Sequence, residues 1–368
     1  MYILFDHQIF SYQKYGGISK YFAELYKYLN HGNTKIHLGL RKHVNGYLAE
    51  LPADTHGDII YYPTNKLIAK FLIYRDNKKH CVDLLRKKSY DIIHSTFYDP
   101  YMLGYNTRPH VITVHDMTPE LYPQYYRGTL YSHLISKKWI KGKKQLIDQA
   151  DKIIAISENT KHDLMRIYNI PEHRITVIYH GCNMLPESAP RLLEDPYILF
   201  VGLRDKYKGF KTFVDGVEPV LKQNKLKALC IGGGAFSPEE QRLLKERKLD
   251  NYFMQMSVSD TGLASAYKNA LCFVFPSEYE GFGMPILEAF SQNCPVILSN
   301  SSCFPEIGGN AALYFPDGNC KELTTQLTRL LSEQGLRNEL TAAGQQKINK
   351  FSWSDCAAKT LQLYKSML

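Results

Sequence analysis

ALCFVFPSEYEGFGMPILEAF, residues 270–290, contains in one run a strand, a glycine loop and the start of a helix. Its opening residues are apolar and partly β-branched and stop at Pro276, as a strand buried on both faces does. Gly281 and Gly283 then permit a tight turn or a close backbone approach, and Pro285 suits the first position of a helix. Ile286, Leu287 and Phe290 supply the buried stripe of that helix. Two carboxylates remain, Glu280 in the loop and Glu288 near the helix start, where the helix dipole favours a negative charge by about 0.3–1 kcal/mol. The unpaired amides of the same turn attract an anionic or polyhydroxylated ligand. In open α/β sheets such a site lies at the carboxyl ends of the strands.

The same alternation extends through the chain. YILFVG (197–202), KALCIGG (227–233), YFMQMS (252–257), PVILSN (295–300) and AALYF (311–315) read as further buried strands of the second half. In the first half, YILFDH (2–7), YDIIHS (90–95), HVITVHD (110–116), KIIAIS (152–157) and ITVIYHG (175–181) do the same, with helical patterns at 17–30 and 158–170. A chain of 368 residues exceeds one ordinary core. The expectation is therefore α/β, with two Rossmann-like doubly wound domains facing across a cleft. Residues 1–183 would form the first domain and 184–351 the second, after the proline-containing link 183–196. The final segment, 352–368, has the spacing of a helix that crosses back to the first domain.

Composition narrows the class. Asp6 and His7 interrupt the apolar start, unlike a signal peptide, and no run approaches the 18 apolar residues of a membrane span. Eight scattered cysteines without a CxxC pair fit reduced cytoplasmic thiols better than disulfides or zinc ligation. The net charge of +9 lies wholly in residues 1–185, which hold 25 Lys and Arg against 16 Asp and Glu, whereas residues 186–368 hold 20 of each. Two stretches, 66–88 and KKWIKGKK (137–144), mix lysine with large apolar residues. They read either as solvated faces of packed helices or as patches for an anionic membrane surface, which would place the protein on the inner face of a cytoplasmic membrane. No common nucleic-acid-binding module is present, so nucleic acid is not an expected partner.

Several residues gather where strands end. Gly202, Arg204 and Lys208, in VGLRDKYKGF (201–210), follow a strand with two cations suited to phosphate oxygens. Gly16 and Gly17, in KYGGISKY (14–21), let backbone and helix terminus approach a phosphate or sugar. Neither GxGxxG nor GxxxxGKS/T occurs, which argues against a nucleoside triphosphate hydrolase. His115 and Asp116 close a strand, where they could meet a sugar or acceptor hydroxyl, and Glu120 lies in MTPELYP (117–123), a loop that could bound an acceptor site. His180 reads better as a structural histidine.

In this order, YGGISKY, TVHDMTPELYP, AISENTKHDL with ITVIYHG, VGLRDKYKGF, PSEYEGFGMPILEAF and FSWSDCAAKTL make the chain resemble retaining GT-B glycosyltransferases of the GT4 family, over nearly its full length. Glu280 to Glu288 matches that family's E-x7-E pattern. The resemblance implies that Glu280 contacts donor hexose hydroxyls, Glu288 the ribose, Arg204 and Lys208 the diphosphate, and His115 the transferred sugar. Met284 and Pro285 would belong to the loop whose amides approach the donor, and Ser301 and Glu306 to the next site-facing loop. It further implies a nucleotide-sugar donor, no metal or other cofactor, and retention of anomeric configuration, with departing diphosphate taking the acceptor proton. YKGF, TVHDMTPELYP and SSCFPEI are similar to bacterial O-antigen and capsule mannosyltransferases, which suggests GDP-mannose and a lipid-linked glycan acceptor. A nucleotide-sugar epimerase, a phosphorylase and a non-catalytic nucleotide-sugar-binding protein stay open as alternatives.

Overall fold

Short β-branched and aromatic runs such as YILFV and CFVF have no polar face to offer solvent, so they can pair only inside a sheet covered on both sides. The computed structural model shows this twice. It describes residues 1–51, 58–59, 66–88, 90–105, 109–126, 130–183, 185–186, 189–204 and 206–368; parts of the 183–196 link and the side chains of residues 66–69 in the first basic stretch lie outside the described residues. The chain divides into two compact units, Met1–Gly181 with Trp353–Leu368, and Cys182–Ser352. Both are Rossmann-like α/β units.

In the first unit the strands are β1 (Tyr2–Phe5), β2 (Lys35–Leu38), β3 (Lys42–His43), β4 (Asp58–Ile59), β5 (Ile92–Ser95), β6 (His110–Val114), β7 (Lys152–Ala155) and β8 (Ile175–Val177). The main sheet is parallel throughout, in the order β2-β1-β5-β6-β7-β8. β3 and β4 form a separate parallel pair with no counterpart among the sequence expectations. The helix Gly17–Leu29 buries Tyr21, Phe22, Leu25 and Leu29 against this sheet. The helix Trp353–Lys365 packs in the same core through Trp353, Cys356, Ala357, Leu363 and Tyr364. Tyr364 hydroxyl meets His94 Nδ1 at 2.6 Å, and His94 Nε2 meets Thr113 Oγ1 at 2.9 Å. The terminal helix is thus tied to β5 and β6 by a buried polar chain, as well as by its apolar face.

The second unit contains β9 (Tyr197–Val201), β10 (Lys227–Ile231), β11 (Phe253–Met256), β12 (Cys272–Phe275), β13 (Val296–Ser299) and β14 (Ala312–Phe315). All neighbours are parallel, in the order β11-β10-β9-β12-β13-β14. The chain winds outward from β9 through β10 to β11, then returns to β12 on the other side of β9. The β9/β12 boundary is therefore the topological switch point, where loops after two adjacent strands diverge and leave a crevice. Gly209, at φ 69, starts the helix Phe210–Asn224 beside this point. A Cβ there would stand 2.1 Å from the Pro276 carbonyl oxygen, so only glycine lets the two loops close on each other.

Among the described residues no helix is long and apolar enough to cross a membrane. No disulfide joins any of the eight cysteines.

Candidate functional site

The switch point of the second unit brings together residues that the sequence separates by about seventy positions. Lys208 ends a short 3-10 turn, Lys206–Lys208, after β9, and its Nζ donates to Glu280 Oε1 at 2.5 Å. Their side chains keep 18% and 16% of their surface, enough to meet a ligand and little enough to hold one geometry. The loops themselves are joined by the Glu278 amide, which donates to the Tyr207 carbonyl at 2.8 Å.

Glu280 is held from behind. Its amide donates to Ser302 Oγ at 3.0 Å, and its carbonyl accepts from Ser302 Oγ and from Cys303 Sγ, the latter at 3.2 Å. Ser302, at φ 56, occupies a left-handed conformation that nothing in its sequence signals, and the sequence points instead to its neighbour Ser301. Ser301 Oγ in fact donates to the Ser277 carbonyl at 3.2 Å and braces the β12 loop. Glu306 lies in the first turn of the helix Phe304–Gly308, and its carbonyl accepts from Lys347 Nζ at 3.1 Å.

Gly283, at φ 91, caps the helix Met284–Ser291, with Pro285 inside its first turn. Glu288 lies one turn into that helix and accepts from the buried Tyr267 hydroxyl at 3.3 Å. The two glutamates therefore flank the Gly283 turn, Glu280 paired with Lys208 and Glu288 accepting from Tyr267.

Arg204 corrects an expectation. It is placed at the right strand end but is buried, with its side chain 3% exposed, and it faces the protein. Nε donates to Glu240 Oε1 at 3.1 Å, Nη1 to the Gly232 carbonyl at 2.6 Å, and Nη2 to those of Gly234 and Ala235 at 2.7 and 3.0 Å. Gly202, at φ 130, precedes it at the end of β9. A guanidinium saturated in this way is not presented to a diphosphate, and among the described residues Lys208 is left as the cation with that capacity.

The first unit has its own switch point, between β1 and β5. Asp6 is fully buried there and accepts from the Thr96 amide at 3.0 Å, from Thr96 Oγ1, and from Gln8 Nε2 at 2.6 Å. Burial raises its carboxyl to about 6 against those hydrogen bonds. Sequence reading missed this group, because its partner is 90 residues away. Gly16 and Gly17 open the helix Gly17–Leu29, but the Ser19 amide is already taken by Gln13 Oε1 at 3.2 Å. A Cβ on Gly17 would meet nothing within 4 Å.

His115 follows β6 in an aromatic surround. Tyr21 stands edge-on at 5.2 Å and His180 at 5.6 Å, while His180 itself stacks on Tyr21 at 4.7 Å and on Trp353 at 5.8 Å. Burial depresses the His115 imidazole to about 3, so it is neutral, and among the described residues neither ring nitrogen has a hydrogen-bond partner. A buried, unpartnered imidazole is costly unless something else engages it. His180 fits the structural role expected for it. Asp116 Oδ1 accepts from the Thr118 amide at 2.9 Å and so caps the next turn.

Glu120 requires a second correction. Instead of bounding an open acceptor site, it forms a buried ion pair with Lys143 at 2.8 Å and accepts from Tyr168 hydroxyl at 2.7 Å. Lys143 comes from the KKWIKGKK stretch, so one lysine of that patch is internal.

Two doubly wound parallel units, the second with a cation and carboxylate at its switch point, define the GT-B class of sugar-transferring enzymes. Residues 15–184 match Glycosyltransferase Family 4, and residues 185–347 match Glycosyl transferases group 1. The O-antigen chain mannosyltransferase B of Escherichia coli is 26% identical over 284 residues, 73% of this chain and 72% of that protein. The O-antigen chain mannosyltransferase RfbU of Salmonella typhimurium is 29% identical over 208 residues, 56% of each. Among solved structures, sucrose-phosphate synthase from Thermosynechococcus elongatus superposes with a TM-score of 0.75 at 20% identity, over 99% of this chain and 98% of that one. Anabaena HepE in complex with UDP and glucose gives 0.72 at 16% identity, over 99% of both. The chain is a GT-B-fold glycosyltransferase related to family 4 and group 1, and it transfers a sugar from a nucleotide-sugar donor to an acceptor.

Proposed function

We propose that this enzyme moves mannose from GDP-mannose, with retention of configuration, to a hydroxyl of a lipid-linked glycan during synthesis of a bacterial surface polysaccharide. The observation that carries the site assignment is the Lys208–Glu280 contact of 2.5 Å at the switch point. It sets a cation for the departing diphosphate beside an acceptor for sugar hydroxyls, next to the helix start at Gly283. Glu288 takes the ribose. His115, neutral and unpartnered, offers the transferred sugar one N–H donor and one acceptor nitrogen. No carboxylate is assigned as a nucleophile, so departing diphosphate takes the acceptor proton as the new bond forms on the same face. Mannose and GDP are favoured because two relatives carry the mannosyltransferase name.

Thermal denaturation with matched nucleotides tests the donor. GDP and GDP-mannose at about 100 times Kd stabilise the folded chain by roughly 2.7 kcal/mol, a shift of about 5–11 °C for a unit of this size. UDP and UDP-sugars at equal concentration produce a smaller shift. The reverse order overturns the GDP assignment, while no shift with any nucleotide overturns the donor site itself.

The acceptor proposal includes peripheral docking on anionic lipid. Phe71, Leu72 and Leu134 are 64%, 45% and 57% exposed, and Lys70, Lys137, Lys138 and Lys141 are exposed near them in sequence. Lys143 is excluded from this face by its buried pair with Glu120. Sedimentation with vesicles containing anionic lipid is expected to recover more protein than with zwitterionic vesicles, and to weaken with salt. Equal recovery from both defeats the membrane proposal.

A further inference from the structure

Arg204 is the cation whose side chain the protein itself consumes. Besides its bonds to Glu240 and to the carbonyls of Gly232, Gly234 and Ala235, the Gly233 carbonyl lies 3.5 Å from Nη2. The Phe236 ring lies 4.8 Å from the guanidinium carbon and the Phe210 ring 5.9 Å. Successive carbonyls can face one cation in this way because Gly232, Gly233 and Gly234 take φ values of 91, 70 and 72. Residues with a side chain rarely adopt one such angle, and three in succession amount to a specified shape.

Turning carbonyls to one side turns the intervening amides to the other. Among the described residues no acceptor takes the amides of Gly233, Gly234 or Ala235. Successive amides facing outward from a left-handed turn form a concavity for an acceptor oxygen. The loop follows β10, beside β9 and away from the Lys208–Glu280 contact on the β12 side. In doubly wound sheets the nucleoside lies to one side of the switch point and the phosphates lie at it.

We infer that Arg204 is a positioning residue: it shapes the 232–235 loop so that its amides receive acceptor oxygens of the donor's nucleoside part, while Lys208 meets the diphosphate. This rests on the glycosyltransferase reading and assigns Arg204 a different task from the phosphate contact that reading first suggested. Its positive charge is answered by Glu240 and by carbonyl dipoles, so the residue acts through the backbone.

Calorimetric titration of GMP and GDP into the full chain separates the two roles. Loss of a positioned loop removes hydrogen bonds made equally by both ligands, so Arg204→Ala weakens GMP and GDP by the same factor, about tenfold. The ratio of the two affinities stays at its wild-type value. Lys208→Ala, in contrast, collapses that ratio. Arg204→Lys restores little, since one ammonium cannot span the carbonyls that the guanidinium holds. A collapsed ratio in Arg204→Ala, or recovery of GDP affinity in Arg204→Lys, overturns the inference. Ligand-free hydrogen exchange gives a second arm: faster exchange across 232–240 in Arg204→Ala and Arg204→Lys supports the loop role, and unchanged exchange in both defeats it. If the wild-type chain binds neither GMP and GDP nor UMP and UDP, the donor reading fails, and the exchange arm still decides what Arg204 holds.

Discussion

Turnover of the Lys208→Ala enzyme is expected to fall by about two to three orders of magnitude, the range in which loss of one preorganised transition-state donor costs about 3–4 kcal/mol. Heterolysis of the sugar–phosphate bond builds charge on the leaving oxygen, and among the described residues Lys208 is the site cation with an exposed face. Arg204, committed to carbonyls and Glu240, does not share the task. Removal of Lys208 also leaves the Glu280 carboxylate without its 2.5 Å partner, close to where an anionic diphosphate must sit. Repulsion therefore adds to the lost attraction. Because the stabilised charge develops during reaction, kcat falls more than KM rises. Lys208→Arg recovers part of the loss, and Glu280→Gln keeps nucleotide binding while lowering transfer. Steady-state kinetics with a donor selected by the thermal measurements checks this, and half of wild-type turnover remaining in Lys208→Ala removes the lysine from the mechanism.

The elements that define this site were legible because their signals are local. A run such as CFVF can form only a buried strand, and Gly281, Gly283 and Pro285 punctuate the loop and helix start directly after it. Repetition of that pattern in each half gave two doubly wound units. What could not be read was the direction in which a side chain turns. An arginine just beyond a strand looks the same whether it faces a ligand or, like Arg204, folds back onto the next loop. Glu120 and Lys143 read as a loop acid and a patch lysine, because their buried pairing spans 23 positions and depends on how a helix packs. Asp6 and Thr96 meet only through the β1–β5 register. Ser302 adopts its left-handed conformation because the loop around Glu280 over-determines it.

The histidines give the second large expected effect, selective acid unfolding of the first unit. All thirteen lie within residues 1–181 of the chain, and the second unit, 182–352, has none. Burial depresses His7, His94 and His115 to about 3 and His110 to about 4, and holds His180 well below the ordinary range. Each is neutral in the folded unit and takes a proton in the unfolded chain below about pH 6.5. Their contribution to stability is therefore complete above pH 6.5 and is lost as pH falls toward 3–4. Asp6 works in the opposite direction: its carboxyl, raised to about 6, already holds a proton when the unfolded chain does not, so it offsets one of the five. Near pH 5 about four protons separate the states, at roughly 1.4 kcal/mol per pH unit for each, or roughly 5 kcal/mol per pH unit together. A domain with a total stability of about 5–15 kcal/mol tolerates about one to three such units below pH 6.5, which centres the midpoint at about pH 4.5. Both tryptophans, Trp139 and Trp353, belong to this unit, so their fluorescence follows it alone. Hydrogen exchange at the same pH is expected to show β1, β5 and β6 unprotected while β9, β12 and β13 remain protected. His94→Gln moves the midpoint to lower pH relative to neutral-pH stability, because its amide can still bond Tyr364 and Thr113 but takes up no proton. A single transition below pH 4, with strands of both units losing protection together, would show that proton uptake by these histidines does not govern the acid response.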